Sequence, residues 1–319
     1  MSKVYSLHDA VKNFVKDGDQ LATGGFTTNR KPYAAIYEIL RQGQKDLIVH
    51  SGPAGGDLDM LAGAGRIKAY INCYSANSGF SQVSRRFRSA IEKGEMLFED
   101  YSQDAMLLAF TGAALGFPYV PLKVMFGSDI LNKWGISEEV RKTIPKLPEK
   151  KLIVQDDPFN PNQKLVLIPT PRLDLALIHA QKASPDGTVR IEGDEFHDVD
   201  IAIAAKRCIV TCEELVSNEE IRRDPQQNKI PGFCVDAIVH VPHGAHPAQC
   251  YNYYDHDPEM LTDYESAGKS DEAFNAFMQE WVYGPKTHEE YLAKVGINRL
   301  IARKVVPGVG YVPSKKGEK

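Results

Sequence analysis

The stretch Asp17-Gly18-Asp19-Gln20-Leu21-Ala22-Thr23-Gly24-Gly25-Phe26-Thr27-Thr28-Asn29-Arg30-Lys31-Pro32 decides the fold class. A turn at Asp17-Gly18 releases a short apolar strand over residues 20–23, two glycines end it, and Pro32 opens a helix. Proline suits the first helical turn because its missing N–H is unpaired there anyway and its φ is already helical. Glycine lets the backbone approach an anion or a developing oxyanion closely, so Gly24 and Gly25 are candidate N–H donors. Strand, glycine loop and helix in that order begin a βαβ unit.

The neighbouring sequence repeats this grammar. Ser6, with Asp9 three residues on, predicts a capped helix through Phe14. After the helix over 32–42 come a buried strand at 47–50 and a second glycine-rich turn, Ser51-Gly52-Pro53-Ala54-Gly55-Gly56-Asp57, with Asp57 expected as the N-cap of a helix toward Leu61. A strand at 69–74 ends in the polar loop Ser75-Ala76-Asn77-Ser78-Gly79. Helices over 81–93 and 102–115 enclose an extended segment at 96–98. Strands alternating with helices of this length predict an α/β fold, a mainly parallel sheet with flanking helices.

Residues 118–171 are proline-rich, with short strands near 151–154 and 164–168, and read as a smaller irregular excursion between two lobes, 1–117 and 172–300, of a single domain spanning 1–319. The second lobe resumes at 173–180, turns at Pro185-Asp186-Gly187, and carries strands at 188–191, 207–211 and 235–241 and a helix at 198–205. The C-terminus is helical around 271–281 and 288–295, before a basic tail at 315–319.

Composition narrows the classes. With 319 residues, 43% hydrophobic and 25% charged, the chain can bury a sizeable core. Its net charge of −4 offers no basic face for a phosphate backbone, which argues against nucleic acid. The first ten residues lack a signal-peptide core and no apolar run could span a bilayer, so a cytoplasmic protein without membrane attachment is expected. The five cysteines Cys73, Cys208, Cys212, Cys234 and Cys250 lack Cys-x-x-Cys spacing and read as reduced core thiols. His243, His246 and His256 lie close to Cys250, but Gly244 and Pro247 break helical ligand spacing, so a structural loop is expected there and no metal.

The segment 17–32 resembles the first signature of the class I coenzyme A-transferases: Asp-Gly, two variable residues, three apolar residues, Gly-Gly-Phe, three variable residues and Gly-x-Pro. Thr23 takes the third apolar place and Arg30 the later glycine. Glu99-Asp100-Tyr101-Ser102 and the segments 112–121, 180–187, 204–214 and 230–242 are similar to the A-type chains of that family, so the resemblance covers residues 17 to about 255. It implies transfer of CoA between an acyl-CoA and a small free carboxylate, with the thioester as substrate and no other cofactor. It also implies a homologous B subunit that carries the reactive glutamate, and a higher oligomer of A–B pairs. A ring-opening CoA-thioester hydrolase of the same fold is the rival enzymatic reading. A ligand-binding effector module is the non-enzymatic one, although residues 1–16 leave no room for the helix-turn-helix such regulators carry.

Under this resemblance Ser78, and less directly Asn77, are expected to face the partner's glutamate or the acyl oxygen; capping of the next helix is their alternative role. Gly24 and Gly25 are expected oxyanion or CoA-loop donors, and Arg30, with Lys31 beside it and with Phe26 and Glu99, a substrate contact. Glu99 and Asp100 stand at a strand-to-helix junction where related hydrolases could use a carboxylate as a base; complementing the dipole of the next helix is their alternative role. Arg85, Arg86 and Arg88 could hold a carboxylate or phosphate, or form a solvated face. Glu213, Glu214, Lys206 and Arg207 read as structural or surface charges.

Overall fold

The computed structural model describes residues 2–311, so the basic tail at 315–319 lies outside the described residues. Its strands are β1 (Gln20–Thr23), β2 (Leu47–Ser51), β3 (Ile67–Asn72), β4 (Leu97–Asp100), β5 (Tyr119–Leu122), β6 (Ile153–Asp157), β7 (Asn160–Pro169), β8 (Leu175–Ala183), β9 (Val189–Arg190), β10 (Cys208–Leu215), β11 (Asn228–Ile230) and β12 (Ala237–His240).

One sheet runs in the order β12-β10-β8-β1-β2-β3-β4 with every pairing parallel. The strand β9 extends the edge of β8 beyond the end of β1, and β11 adds to it, both antiparallel. Because helices cover both faces, these strands read as continuous apolar runs. Alternate residues still divide cleanly: Leu21, Val49, Leu177 and Ile209 enter one core, Ala22, Ile48, Ile178 and Val210 the other. The mainly parallel α/β expectation therefore holds, and β1 paired to β8 joins the two halves of the chain in one sheet.

The first core is closed by the helices Tyr33–Gln42 and Gly56–Gly63 and by the helical C-terminus, whose Tyr264, Phe277 and Tyr291 pack under Tyr33, Tyr37 and Leu58. That C-terminus includes a helix Pro258–Ala267, which is absent from the sequence-based expectation. The second core is closed by the helices Gln103–Ala114 and Asp198–Ala204 and by the excursion, whose β5, β7 and β6 form a small antiparallel sheet.

Local signals hold where they are satisfied locally. Ser6 accepts from Asp9 N as expected, and Ser102 caps the helix Gln103–Ala114. Asp57 does not cap its helix; Gly55 does, and Asp57 turns back to accept from Gly55 N. The helix expected over 81–93 starts only at Arg85, because Ser84 N donates to Ser75 O and Asn77 N to Ser81 Oγ, which holds 75–84 as a loop.

Candidate active site

Parallel α/β sheets present ligand sites beyond the carboxyl ends of their strands. Here β1, β2 and β3 deliver three loops to that edge, residues 24–32, 52–57 and 73–84. They are stitched into one platform by backbone bonds: Thr27 N to Pro53 O (3.0 Å), Ala54 N to Tyr74 O (2.9 Å) and Ala76 N to Ala54 O (3.1 Å). Gly55 makes the close approach possible, since a Cβ there would lie 2.1 Å from Thr27 O. Asn77 is buried, and its Oδ1 accepts from Gly56 N at 2.6 Å, so it braces the second glycine turn. Ser78 is exposed at the loop tip, its Oγ 3.4 Å from Tyr74 OH.

Beneath the platform lie two buried ion pairs. Lys31 Nζ reaches Asp57 Oδ2 at 3.3 Å and donates to Thr23 Oγ1 at 3.0 Å; both charged side chains are fully buried. The Arg30 guanidinium pairs with Asp198 and also donates to His179 O and Asp194 O. Arg30 itself has φ +50°, a left-handed backbone that explains why glycine suits this place in the family pattern. Three hydrogen-bonded partners hold the arginine there.

These contacts correct two expectations. Gly25 N donates to Asp198 Oδ1 at 2.8 Å and Gly24 N to Leu177 O at 2.8 Å, so both amides expected to face an oxyanion are engaged inside the chain. Arg30 is buried against Asp198 and is not free to read a substrate carboxylate. The loop still depends on its glycines: Gly25 has φ +73°, and a Cβ there would sit 2.4 Å from Asn29 O. Gly25→Ala is expected to lower the stability of the chain by at least about 2 kcal/mol, read as a lower urea midpoint.

Phe26 stacks on Phe196 with centroids 5.3 Å apart, and both line an open recess of about 550 Å³ with Asn29, Arg30 and Tyr251. His197, which no sequence motif singles out, donates from Nε2 to Thr23 O at 3.1 Å and stacks on Phe110. Burial holds its pKa below the usual imidazole value, and its Nδ1 has no partner among the described residues.

The remaining candidates all have charged partners within the chain. Glu99 is fully buried and tied to Lys151 (2.9 Å), Arg141 (2.6 Å), Gly135 N (3.1 Å) and Ile136 N (3.3 Å), so it anchors the excursion to β4 and both its oxygens are engaged inside the chain. Asp100 is 3.5 Å from Lys151 and partly exposed. Arg85 pairs with Glu265, Arg86 with Asp271 and Arg88 with Glu92. Lys206 bonds Asp174 at 3.0 Å and Arg207 bonds Asp19 at 2.7 Å.

Glu213 organises the histidine-rich loop. Burial alone would raise its pKa, but His179 at 2.7 Å, Tyr254 OH at 2.6 Å and His243 N at 2.7 Å hold it below the usual carboxylate value. Glu214 is exposed and accepts from Tyr253 OH. His246 bonds Asp257, and His256 bonds Thr28 and Asp255. Among the described residues His179, Glu213 and Cys250 come close enough to share an ion, yet His179 already uses both ring nitrogens on Thr211 and Glu213.

Asp59 carries a further charge beside the second loop. It accepts from Phe87 N (2.6 Å) and Tyr264 OH (2.7 Å), but burial outweighs these bonds and pushes its carboxyl up to about 6. An unfolded aspartate ionises near 3.9, so between about pH 4 and 6 the folded chain holds the extra proton and stability from this group falls as pH rises. Urea midpoints across that window should decline more steeply in the parent than in Asp59→Asn, by about 3 kcal/mol in total.

An α/β sheet whose strand ends carry two interlocked glycine turns defines the class. The coenzyme A transferase family pattern matches residues 4–241, and the chain belongs to that family. The A chain of glutaconate CoA-transferase from Acidaminococcus fermentans is 58% identical over 311 residues, covering 98% of this chain and 97% of its own. The solved structure of glutaconate coenzyme A-transferase from that organism superposes with a TM-score of 0.97 at 57% identity, covering 99% of this chain and 100% of that one. The A chain of 3-oxoadipate CoA-transferase from Pseudomonas knackmussii is 34% identical, over 92% of this chain and 99% of its own. No helix among the described residues is long and apolar enough to cross a membrane.

Proposed function

We propose that this chain is the A-type half of a glutaconate-type CoA-transferase that works in the cytoplasm with a homologous B subunit, in a higher oligomer of A–B pairs. It exchanges CoA between acetyl-CoA and glutaconate, a step suited to glutamate fermentation through hydroxyglutarate. The thioester is a substrate, and no metal or further cofactor is needed.

One observation carries the reading. The three platform loops contain a single acid, Asp57, and it is buried against Lys31. Thioester exchange through an acyl anhydride needs a free carboxylate nucleophile, which divides one difficult transfer into easier steps. The platform offers shape, hydroxyls and an amide instead, which fits a partner that delivers the glutamate. Ser78 at the exposed tip is the side chain we assign to face that glutamate, with Asn77 bracing the loop. An oxyanion donor is worth roughly 3 kcal/mol in such chemistry.

The test is to co-express the chain with its B partner, add acetyl-CoA and trap the intermediate with borohydride or hydroxylamine. The label should fall on a glutamate of the B partner, and Ser78→Ala should lower turnover with assembly intact. Full exchange by this chain alone would overturn the proposal, and unchanged kinetics in Ser78→Ala would remove Ser78 from the site.

A further inference from the structure

A cavity of about 280 Å³ lies between the main sheet and the excursion. Its floor is Gln20, His50 and Ile71, its side wall is Met106 and Ala109 of the helix Gln103–Ala114, and its roof comes from residues 145–148 and 168–172. At about 30 Å³ per water it would hold about nine, room enough for a small organic molecule. The mouth opens where β1 begins: Lys146, on the rim, donates to Gly18 O, at the opposite end of β1 from Gly24 and Gly25.

The lining contains no Asp or Glu but three cations, Arg141, Lys146 and Arg172. Arg141 and Lys146 are answered from outside the cavity by Glu99 and Asp174. Arg172 is exposed and makes no hydrogen bond or ion pair among the described residues, so the mouth keeps an uncompensated positive charge.

The floor beside this rim carries two neutral polar groups. Gln20 Nε2 donates to Lys146 O at 3.0 Å, which turns its Oε1 toward His50 Nε2 at 2.8 Å. The imidazole proton therefore sits on Nε2, and burial keeps the ring neutral by lowering its pKa to about 4. Elsewhere the lining is apolar, with Ile71, Met106, Ala109, Leu147 and Ile168. Prolines at 118, 145, 148, 169 and 171 stiffen the rim, and a proline presents no N–H that a ligand would leave unpaired. A recess with apolar walls and a few polar groups is the usual form of a small-molecule site.

We propose that this cavity binds a small carboxylate with a compact apolar body, its carboxylate at the mouth beside Arg172 and Lys146 and its body inserted beneath β1, β2 and β3. The site joins sheet to excursion, so occupancy also ties the excursion down.

Fluorine NMR of 4-fluorobenzoate with the full-length chain tests this. Saturable binding is expected, weakened at least about tenfold by Arg172→Glu through like-charge repulsion at an exposed position that leaves folding intact. Filling the cavity with Ala109→Phe should abolish it. Benzyl alcohol, which lacks the charge, and inorganic phosphate, which lacks the apolar body, should each compete at least about tenfold more weakly. Binding that Arg172→Glu leaves unchanged, equal competition by phosphate, or no saturation up to about 10 mM would each overturn the proposal.

Discussion

Glu99→Gln is expected to destabilise the chain by about 3–5 kcal/mol, because it strands buried charges instead of merely removing a contact. Lys151 is fully buried and would keep Ile130 O at 2.9 Å and a distant Asp100 at 3.5 Å, with the ring of Tyr101 5.3 Å away. Arg141, also buried, would lose its carboxylate at 2.6 Å, and Gly135 N and Ile136 N would face a weaker acceptor. Lys151, Arg141, Gly135 and Ile136 all belong to the excursion, so the loss should appear there first: limited proteolysis should cut within 118–171 while the main sheet stays folded. A Glu99→Gln, Lys151→Met double variant should recover part of the loss, since it removes one stranded charge. A urea midpoint in Glu99→Gln within about 1 kcal/mol of the parent would show that the anchor is not electrostatic.

Asp198→Asn is expected to act on the glycine loop and through it on transfer. An asparagine oxygen can still accept from Gly25 N, so the variant isolates the charge that answers Arg30. Leaving that guanidinium buried without its anion should lower stability by about 3 kcal/mol. Arg30 also sits beside the Phe26–Phe196 stack, its guanidinium 5.6 Å from the Phe196 ring, so a shift there moves the recess as well as the loop. In the complex with the B subunit, a displacement of the loop by about 1 Å should reduce turnover about 100-fold. If Asp198→Asn melts earlier yet transfers CoA at the parental rate, the glycine loop is scaffold only and the active site must be placed elsewhere.

Much of the fold is legible in the sequence because it rests on local rules. Apolar runs of four or five residues, glycine turns and serine caps are satisfied within a few positions, so β1, β2, β3 and their helices follow from neighbouring residues. The limits appear at Asn77 and Ser84, where a helix start expected at 81 moves to Arg85 because side chains and backbone of 75–84 bond one another. Charged residues are the hardest to read. Arg30, Lys31, Glu99 and Arg86 look free in the sequence, and each has a carboxylate or ammonium partner in the folded chain.

Consecutive residues are enough to set the layered architecture and the family, since alternation of strand and helix and the glycine spacing are written along the chain. Which polar groups remain available is settled by the packed fold. Asp198 lies 168 residues from Arg30 and Arg141 lies 42 from Glu99, and no local pattern announces such a partner. A buried charge must find its counter-charge wherever the packed sheet brings one within reach. That pairing, with the backbone bonds of the loop, removes Arg30, Gly24, Gly25 and Glu99 from the free groups and leaves Ser78 exposed on the platform and Arg172, at the cavity mouth, without a partner among the described residues.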